Sequence, residues 1–145
     1  MKNEYLRHTV ATISYRFQKS VKDCEDSFGH FNLGKGSRST NEIINHMCEV
    51  LTATRIFIEK ERFEKVMLER LSLTEEIERF NLELKSMDNT LSGPELGIDY
   101  AKKLLQGPFS DILTHIGQIA MMQRINNKPI DAEDFSAADI RTGLK

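Results

Sequence analysis

The sequence predicts an all-α protein, a four-helix bundle, on three observations. Apolar residues recur every three or four positions through most of the chain, which is the spacing that gathers them on one side of an α-helix. Two Ser-x-x-Glu patterns, beginning at Ser39 and Ser72, have the form of a capping box, which marks where a helix starts. No run alternates apolar and polar residues as a half-buried strand would.

The first two helices are predicted on either side of a glycine-rich loop. The apolar spacing of three and four predicts the first helix over about residues 4–27. Residues 29–38 contain three glycines and are predicted to form a loop. The pattern of Ser39 with Glu42 predicts a second helix that begins there and runs to about residue 58. Its inward side should carry Ile43, Met47, Val50 and Phe57.

Residues 59–72 are highly charged and their apolar spacing is irregular. This predicts a long connection between the second and third helices, with a short helix inside it as the alternative. The pattern of Ser72 with Glu75 predicts the start of the third helix, whose apolar steps continue to Leu91.

Glycine and proline divide the rest of the chain. A short helix is predicted from Pro94 to Gln106, because proline suits the first turn of a helix. Gly107-Pro108 predicts a break, and the last long helix should follow from Pro108 to about Asn126. Residues 127–129 are predicted to turn, and the tail to Lys145 to be irregular.

Bulk properties narrow the class of protein. The 145 residues are expected to form a single domain, and a net charge of −2 with dispersed lysines and arginines argues against a nucleic-acid-binding protein. No apolar run is long enough for a signal peptide or a membrane span. Cys24 and Cys48 are expected to be reduced structural thiols in a cytoplasmic protein.

One polar line crosses the otherwise apolar last helix. Asp111, His115 and Gln118 are four and three residues apart and therefore share a face, with neighbouring Cβ atoms about 5–6 Å apart. An acid and an imidazole so placed can hold a divalent cation if a third ligand comes from elsewhere. The same line would also fit a plain solvent-facing surface. Met122 and Ile125 continue it with apolar residues, which favours a line that faces a cleft.

His46 is the candidate third ligand. It shares the edge of the second helix's apolar side with Val50, Ala53 and Phe57. The alternative is a histidine at the core boundary that bonds to a backbone carbonyl or to water, because a buried polar group left unpaired costs about 1–3 kcal/mol. The residues alone leave both interpretations open.

Other candidate sites carry weaker signals. Cys48 points away from His46 on the helix and is expected to be a buried structural thiol. His8 and His30 are expected to be solvated. Residues 34–37, Gly-Lys-Gly-Ser, lack the preceding strand and the full spacing of a phosphate-binding loop.

Two stretches resemble a known family. Residues 107–122, GPFSDILTHIGQIAMM, resemble the last core helix of DinB/YfiT-like proteins. Residues 41–46, NEIINH, are similar to that family's second helix, which carries its first metal-binding histidine. The link at residues 59–72 suits the family's long crossover between helices 2 and 3. The resemblance thus implies an up-down-down-up bundle.

The resemblance also implies a metal centre. Its ligands would be His46, Asp111 and His115. Gln118, one turn further along, would support them by ordering a metal-bound water, or would instead bond to a neighbouring helix. The family more often has histidine at the position of Asp111. A carboxylate there is similar to the mycothiol-dependent maleylpyruvate isomerase branch, which has glutamate. The expected ion is zinc or nickel, with ferrous iron as a further option.

For function, the resemblance implies a homodimer that uses a low-molecular-weight thiol in a transfer or isomerisation reaction. A divalent cation suits such chemistry because it lowers the pKa of a thiol. The alternative is a non-catalytic bundle with a vestigial metal site. In that case the charged third helix, together with Met121 and Met122, would serve oligomer or partner contacts.

Overall fold

Helices form the whole regular structure of residues 1–144, the part of the chain that the computed structural model describes. The five α-helices are α1 (Glu4–Ser20), α2 (Thr40–Lys60), α3 (Leu73–Leu91), α4 (Ile98–Leu104) and α5 (Ser110–Ile125). Four of them are long and α4 is a single short segment, so the prediction of an all-α four-helix bundle is confirmed. Helix α1 packs against α3 and α5, and α2 packs against the same two helices. The up-down-down-up order stays a prediction.

The core lies where the apolar sides of the long helices meet. Phe17 of α1 and Phe80 of α3 are fully buried, with ring centroids 4.5 Å apart. Burying a side chain of this size contributes about 1.5–3 kcal/mol. Phe57 departs from the prediction that it points inward. It is 39% exposed and stacks on Tyr100 at 6.1 Å. The fully buried aliphatic core includes Ile13, Ile44, Met47, Leu51, Leu84, Met87, Leu91 and Ile112.

Helix α1 is shorter than predicted and ends at Ser20 rather than near residue 27. Asp23 has a left-handed backbone with φ 56°, and a 3-10 helix then spans Asp26–His30. Phe28 is still buried. The apolar spacing continued past the true helix end because a 3-10 helix also repeats every three residues.

Both predicted capping boxes are confirmed. The Ser39 hydroxyl accepts a hydrogen bond from the Glu42 backbone N–H at 3.2 Å, and the Glu42 carboxylate accepts one from the Ser39 N–H at 3.1 Å. Ser72 and Glu75 make the same two bonds at the start of α3. These bonds satisfy N–H groups that have no partner inside the helix, so they set the start of α2 and the position of His46 on it.

The connection between α2 and α3 is a long segment with no helix in it, so the predicted connection is confirmed and the short-helix alternative is not found. It is held to α2 by polar contacts. The Leu68 N–H donates to Glu49 at 2.9 Å, and the Asn45 amide donates to the Glu69 carbonyl at 3.0 Å. The fully buried Glu76 carboxylate accepts from Asn45 and pairs with Arg79.

The predicted break at Gly107-Pro108 is wrong. A π-helical turn, Leu105–Phe109, joins α4 to α5 without interruption. Proline lacks an N–H and cannot continue the ordinary α-helical ladder, and the wider π turn accommodates it. The Ser110 hydroxyl also donates to the Leu105 carbonyl. The short helix itself begins at Ile98 instead of Pro94.

The C-terminal tail is irregular as predicted, apart from a short 3-10 helix at Phe135–Ala137. It nevertheless packs along α1. The Glu133 carboxylate bonds to Tyr15 and Lys19, and the Arg16 guanidinium lies 3.9 Å from the Phe135 ring centroid. Across residues 1–144, every helix is too short or too polar to cross a lipid bilayer.

Candidate metal centre

Three potential metal-ligating side chains meet between α2 and α5. His46 comes from α2, whereas Asp111 and His115 come from the first two turns of α5. Each offers one ligand atom, and the three atoms lie within 4.8 Å of one another. The structure therefore brings together the residues that the resemblance implied as ligands.

The carboxylate of Asp111 lies between the two imidazoles. One of its oxygens is 3.5 Å from His46 Nε2, and the other is 3.5 Å from His115 Nε2. Two ligand atoms bound to one tetrahedral zinc ion would be about 3.4 Å apart, given zinc–ligand distances of about 2.0–2.2 Å. Each of the two nitrogen–oxygen distances is close to this separation, although they involve different oxygens of Asp111. One ligand atom from each of the three residues lies within 4.8 Å of the others.

The three side chains differ in burial, with His115 the most buried and Asp111 the most exposed. The side chain of His115 is 11% exposed, that of His46 is 30% exposed and that of Asp111 is 45% exposed. A plain solvent-facing surface does not fit the buried His115. The centre is therefore anchored in the protein on one side and open to solvent at Asp111.

Gln118 contacts His115 directly. Its side-chain oxygen Oε1 lies 2.8 Å from His115 Nδ1. Since an amide oxygen only accepts hydrogen bonds, Nδ1 is the donor in this contact, and in the neutral ring Nε2 keeps the lone pair that a metal would need. Nε2 is also the atom that faces Asp111. An acceptor of this kind is the usual second partner of a metal-binding histidine.

The environment of His46 favours its neutral form. Burial is the largest cause that lowers the pKa of this histidine, followed by the charges of Arg38 and His115. Asp111 opposes the shift but does not cancel it. The lowered pKa favours the neutral form of His46, which is the form that binds metals. His46 lies beside Asp111, and its ring centroid is 5.0 Å from that of His115.

A cleft of about 820 Å³ opens beside His115 and Gln118. Its walls come from the glycine-rich loop, the start of α2 and one side of α5. The apolar continuation of the polar line predicted a cleft beside this helix, but no sequence pattern pointed to Arg38 as part of it, because Arg38 lies 77 positions before His115 in the chain. The residues that line it include Arg38, Ile43, Gly117, Met121 and Met122.

The two methionines proposed for partner contacts, Met121 and Met122, differ in solvent exposure. Met121 is 56% exposed, whereas Met122 is buried. Ile125, which the sequence placed on the same line as Asp111, is exposed. Along this line, His115, Gln118 and Met122 border the cleft, whereas Ile125 does not. Met122 is buried in the cleft wall and is not available for a contact on the outer surface.

The remaining candidates take no part in the centre. Cys48 is buried, as predicted, and burial raises its thiol pKa to about 12. Cys24 is half-buried and also free, and burial raises its pKa. His8 and His30 are exposed, as expected.

Comparisons of the chain with protein-family models, with curated proteins and with solved structures found no match. The resemblance to DinB/YfiT-like proteins therefore stays a prediction from two short stretches.

Proposed function

We propose that this protein binds a divalent metal ion through His46, Asp111 and His115, as a DinB/YfiT-like bundle would. The observation that carries the proposal is the Asp111 carboxylate, which lies 3.5 Å from a nitrogen of each histidine. The Gln118 contact adds support, because it leaves the correct nitrogen of His115 free for a metal.

The donor set suits zinc or nickel, and ferrous iron is a further option, because imidazole and carboxylate are ligands for all three. Three protein ligands are typical of catalytic zinc sites, whereas structural zinc sites have four. The exposed side of Asp111 is where a fourth, non-protein ligand would have access. These features favour a centre that acts on other molecules.

The proposed reaction class is a thiol-dependent transfer or isomerisation. A bound divalent cation would supply positive charge that favours the ionised form of a thiol. The protein's own cysteines do not suit this role, since the Cys48 thiol is buried with a pKa of about 12 and the pKa of Cys24 is also raised. The thiol is therefore proposed to be a small external molecule that reaches the centre through the cleft. We also propose a homodimer that works in the cytoplasm.

Metal binding is the first property to test. Purified apo-protein titrated with zinc or nickel in a calorimeter should bind one ion per chain. His46→Ala and His115→Ala should abolish this stoichiometric binding, because each removes one of three ligands. The matched control is His30→Ala, which removes an exposed histidine from the 3-10 helix and should bind metal as the original protein does.

Two results would count against the proposal. One is the absence of zinc and nickel binding in the original protein, with no shift of its melting temperature on addition of either ion. The other is unchanged binding in both histidine variants of the centre. The non-catalytic bundle with a vestigial site would then be the better description.

A further inference from the structure

The glycine-rich loop contributes a positive charge to the cleft beside the metal centre. Most arginines of the chain are engaged, either with carboxylates or, for Arg16, with an aromatic ring. Arg38 lines the cleft and is exposed, and within residues 1–144 no carboxylate oxygen lies within 4.0 Å of it. Its charge acts on His46. An unpaired guanidinium at the edge of a cleft can pair with a carboxylate from a ligand.

The rest of the cleft is largely apolar. Ile43 and Met122 are buried in its wall, while Met121 and Leu33 are partly exposed at its sides. Gly117 lies among them in the middle of α5, and a Cβ atom added there would meet no atom within 4 Å. The missing side chain therefore leaves open space on the side of α5 that lines the cleft.

We propose that this cleft binds a small organic carboxylate whose acid group pairs with Arg38 and whose apolar body lies against Met121 and Gly117. The inference rests on the proposed function only in so far as a bound metal would add a second positive charge near the ligand. Two neutral histidines and one carboxylate around a divalent cation leave a charge of +1 at the centre, which also favours an anionic ligand over a neutral or cationic one.

Methionine methyl groups provide the readout. The chain has six methionines; Met121 and Met122 line the cleft, whereas Met1 and Met67 are exposed and do not line it. Protein with isotopically labelled methionine methyl groups, free of metal, is titrated with hexanoate and separately with hexanol. Hexanoate should shift the Met121 and Met122 signals saturably and leave those of Met1 and Met67 in place.

Variants then separate the contribution of the Arg38 charge to binding from that of the apolar wall. Arg38→Gln should raise the Kd for hexanoate about two- to fivefold, the loss expected for one exposed ion pair, and leave that for hexanol unchanged. Lys35→Gln is the matched control, because it removes a charge from the same loop at a residue that does not line the cleft. It should change neither Kd. Gly117→Leu should abolish binding of both compounds by filling the open space.

The inference is overturned if hexanoate gives no saturable shift of the Met121 and Met122 signals. It is equally overturned if Arg38→Gln and Lys35→Gln have the same effect on hexanoate. A parallel zinc titration of each variant keeps the two proposals apart. If the protein binds zinc but not hexanoate, only the proposed metal site is supported. If it binds hexanoate but not zinc, only the proposed carboxylate site in the cleft is supported.

Discussion

Gln118 shows how one hydrogen bond can determine whether a histidine is able to bind a metal. Its side-chain oxygen accepts from His115 Nδ1 at 2.8 Å, which directs the lone pair of Nε2 toward Asp111. Without this acceptor, the proton could reside on either nitrogen and the ring would be less well oriented. The spacing of three residues predicts only that the two side chains share a helix face, and the structure adds the bond between them.

We expect Gln118→Ala to weaken zinc binding by roughly 10–100-fold, the usual effect of losing a histidine's second partner. Gln118→Glu keeps an acceptor oxygen and should retain most of the affinity. A competition titration against a coloured chelator measures both. Gln18→Ala on α1 removes a comparable amide and should have no effect. Equal affinity in Gln118→Ala and the original protein would mean that packing alone orients His115.

At the level of elements, α5 has two uncommon features, a π-helical turn directly before it and a glycine in its interior. The π-helical turn at Leu105–Phe109 lies directly before the helix, so Asp111 follows it by two positions. Six residues after Asp111, Gly117 interrupts an otherwise good helical sequence. A glycine in a helix interior costs about 0.8–1.0 kcal/mol relative to alanine, and here no neighbour requires it, since an added Cβ has open space.

Gly117→Ala should therefore raise the free energy of unfolding by about 1 kcal/mol, measured by urea denaturation. Gly34→Ala is the informative comparison. Its added Cβ also meets nothing within 4 Å, but Gly34 has φ 75°, so alanine there should cost about 1 kcal/mol or slightly more. If both substitutions shift stability in the same direction, backbone conformation is not what distinguishes the two glycines.

Across the whole molecule, Asp88 joins three separate parts of the chain. From α3 it accepts two hydrogen bonds from Arg7 of α1, at 2.8 and 3.0 Å, and one from the Leu144 N–H of the tail at 3.1 Å. Burial opposes ionisation of Asp88, but the bonds from Arg7 and Leu144 outweigh it and lower the pKa of the carboxyl. The ionised carboxylate therefore contributes to holding α1, α3 and the tail together.

This contact predicts a loss of stability in acid. The pKa of Asp88 is lower in the folded chain than the value of about 3.9 expected in the unfolded chain. Its contribution is thus fully present above that value and is lost as the pH falls through the folded pKa. Asp88→Asn should lower the free energy of unfolding at pH 7 by about 1.5–3 kcal/mol, the range for hydrogen bonds to a charged group.

Urea denaturation of both proteins between pH 7 and pH 2 measures the effect. The gap between Asp88→Asn and the original protein should narrow below about pH 4. Asp139→Asn is the control, because Asp139 pairs with Arg141 in an exposed ion pair and should change stability little. A gap that stays constant down to pH 2 would show that Asp88 acts through packing and not through its charge.

Features that depend on neighbours along the chain could be predicted from the sequence. The two capping boxes, the long link, the buried Cys48 and the shared face of Asp111 and His115 all follow from local composition or from spacings of three or four residues. Helix ends were less predictable. After Ser20 the apolar spacing continues because a 3-10 helix also repeats every three residues. At residue 108 the expected helix break does not occur, because a π-helical turn accommodates the proline.

Contacts across helices depend on the tertiary structure alone. Nothing local in the sequence fixes the distance from His46 on α2 to Asp111 on α5, because that distance depends on how the apolar sides of the helices pack. The same packing puts Arg38 and His115 on one cleft and leaves open space over Gly117. The polar line on α5 is thus a local pattern, and its capacity to form a three-ligand site comes from the helix packed against it.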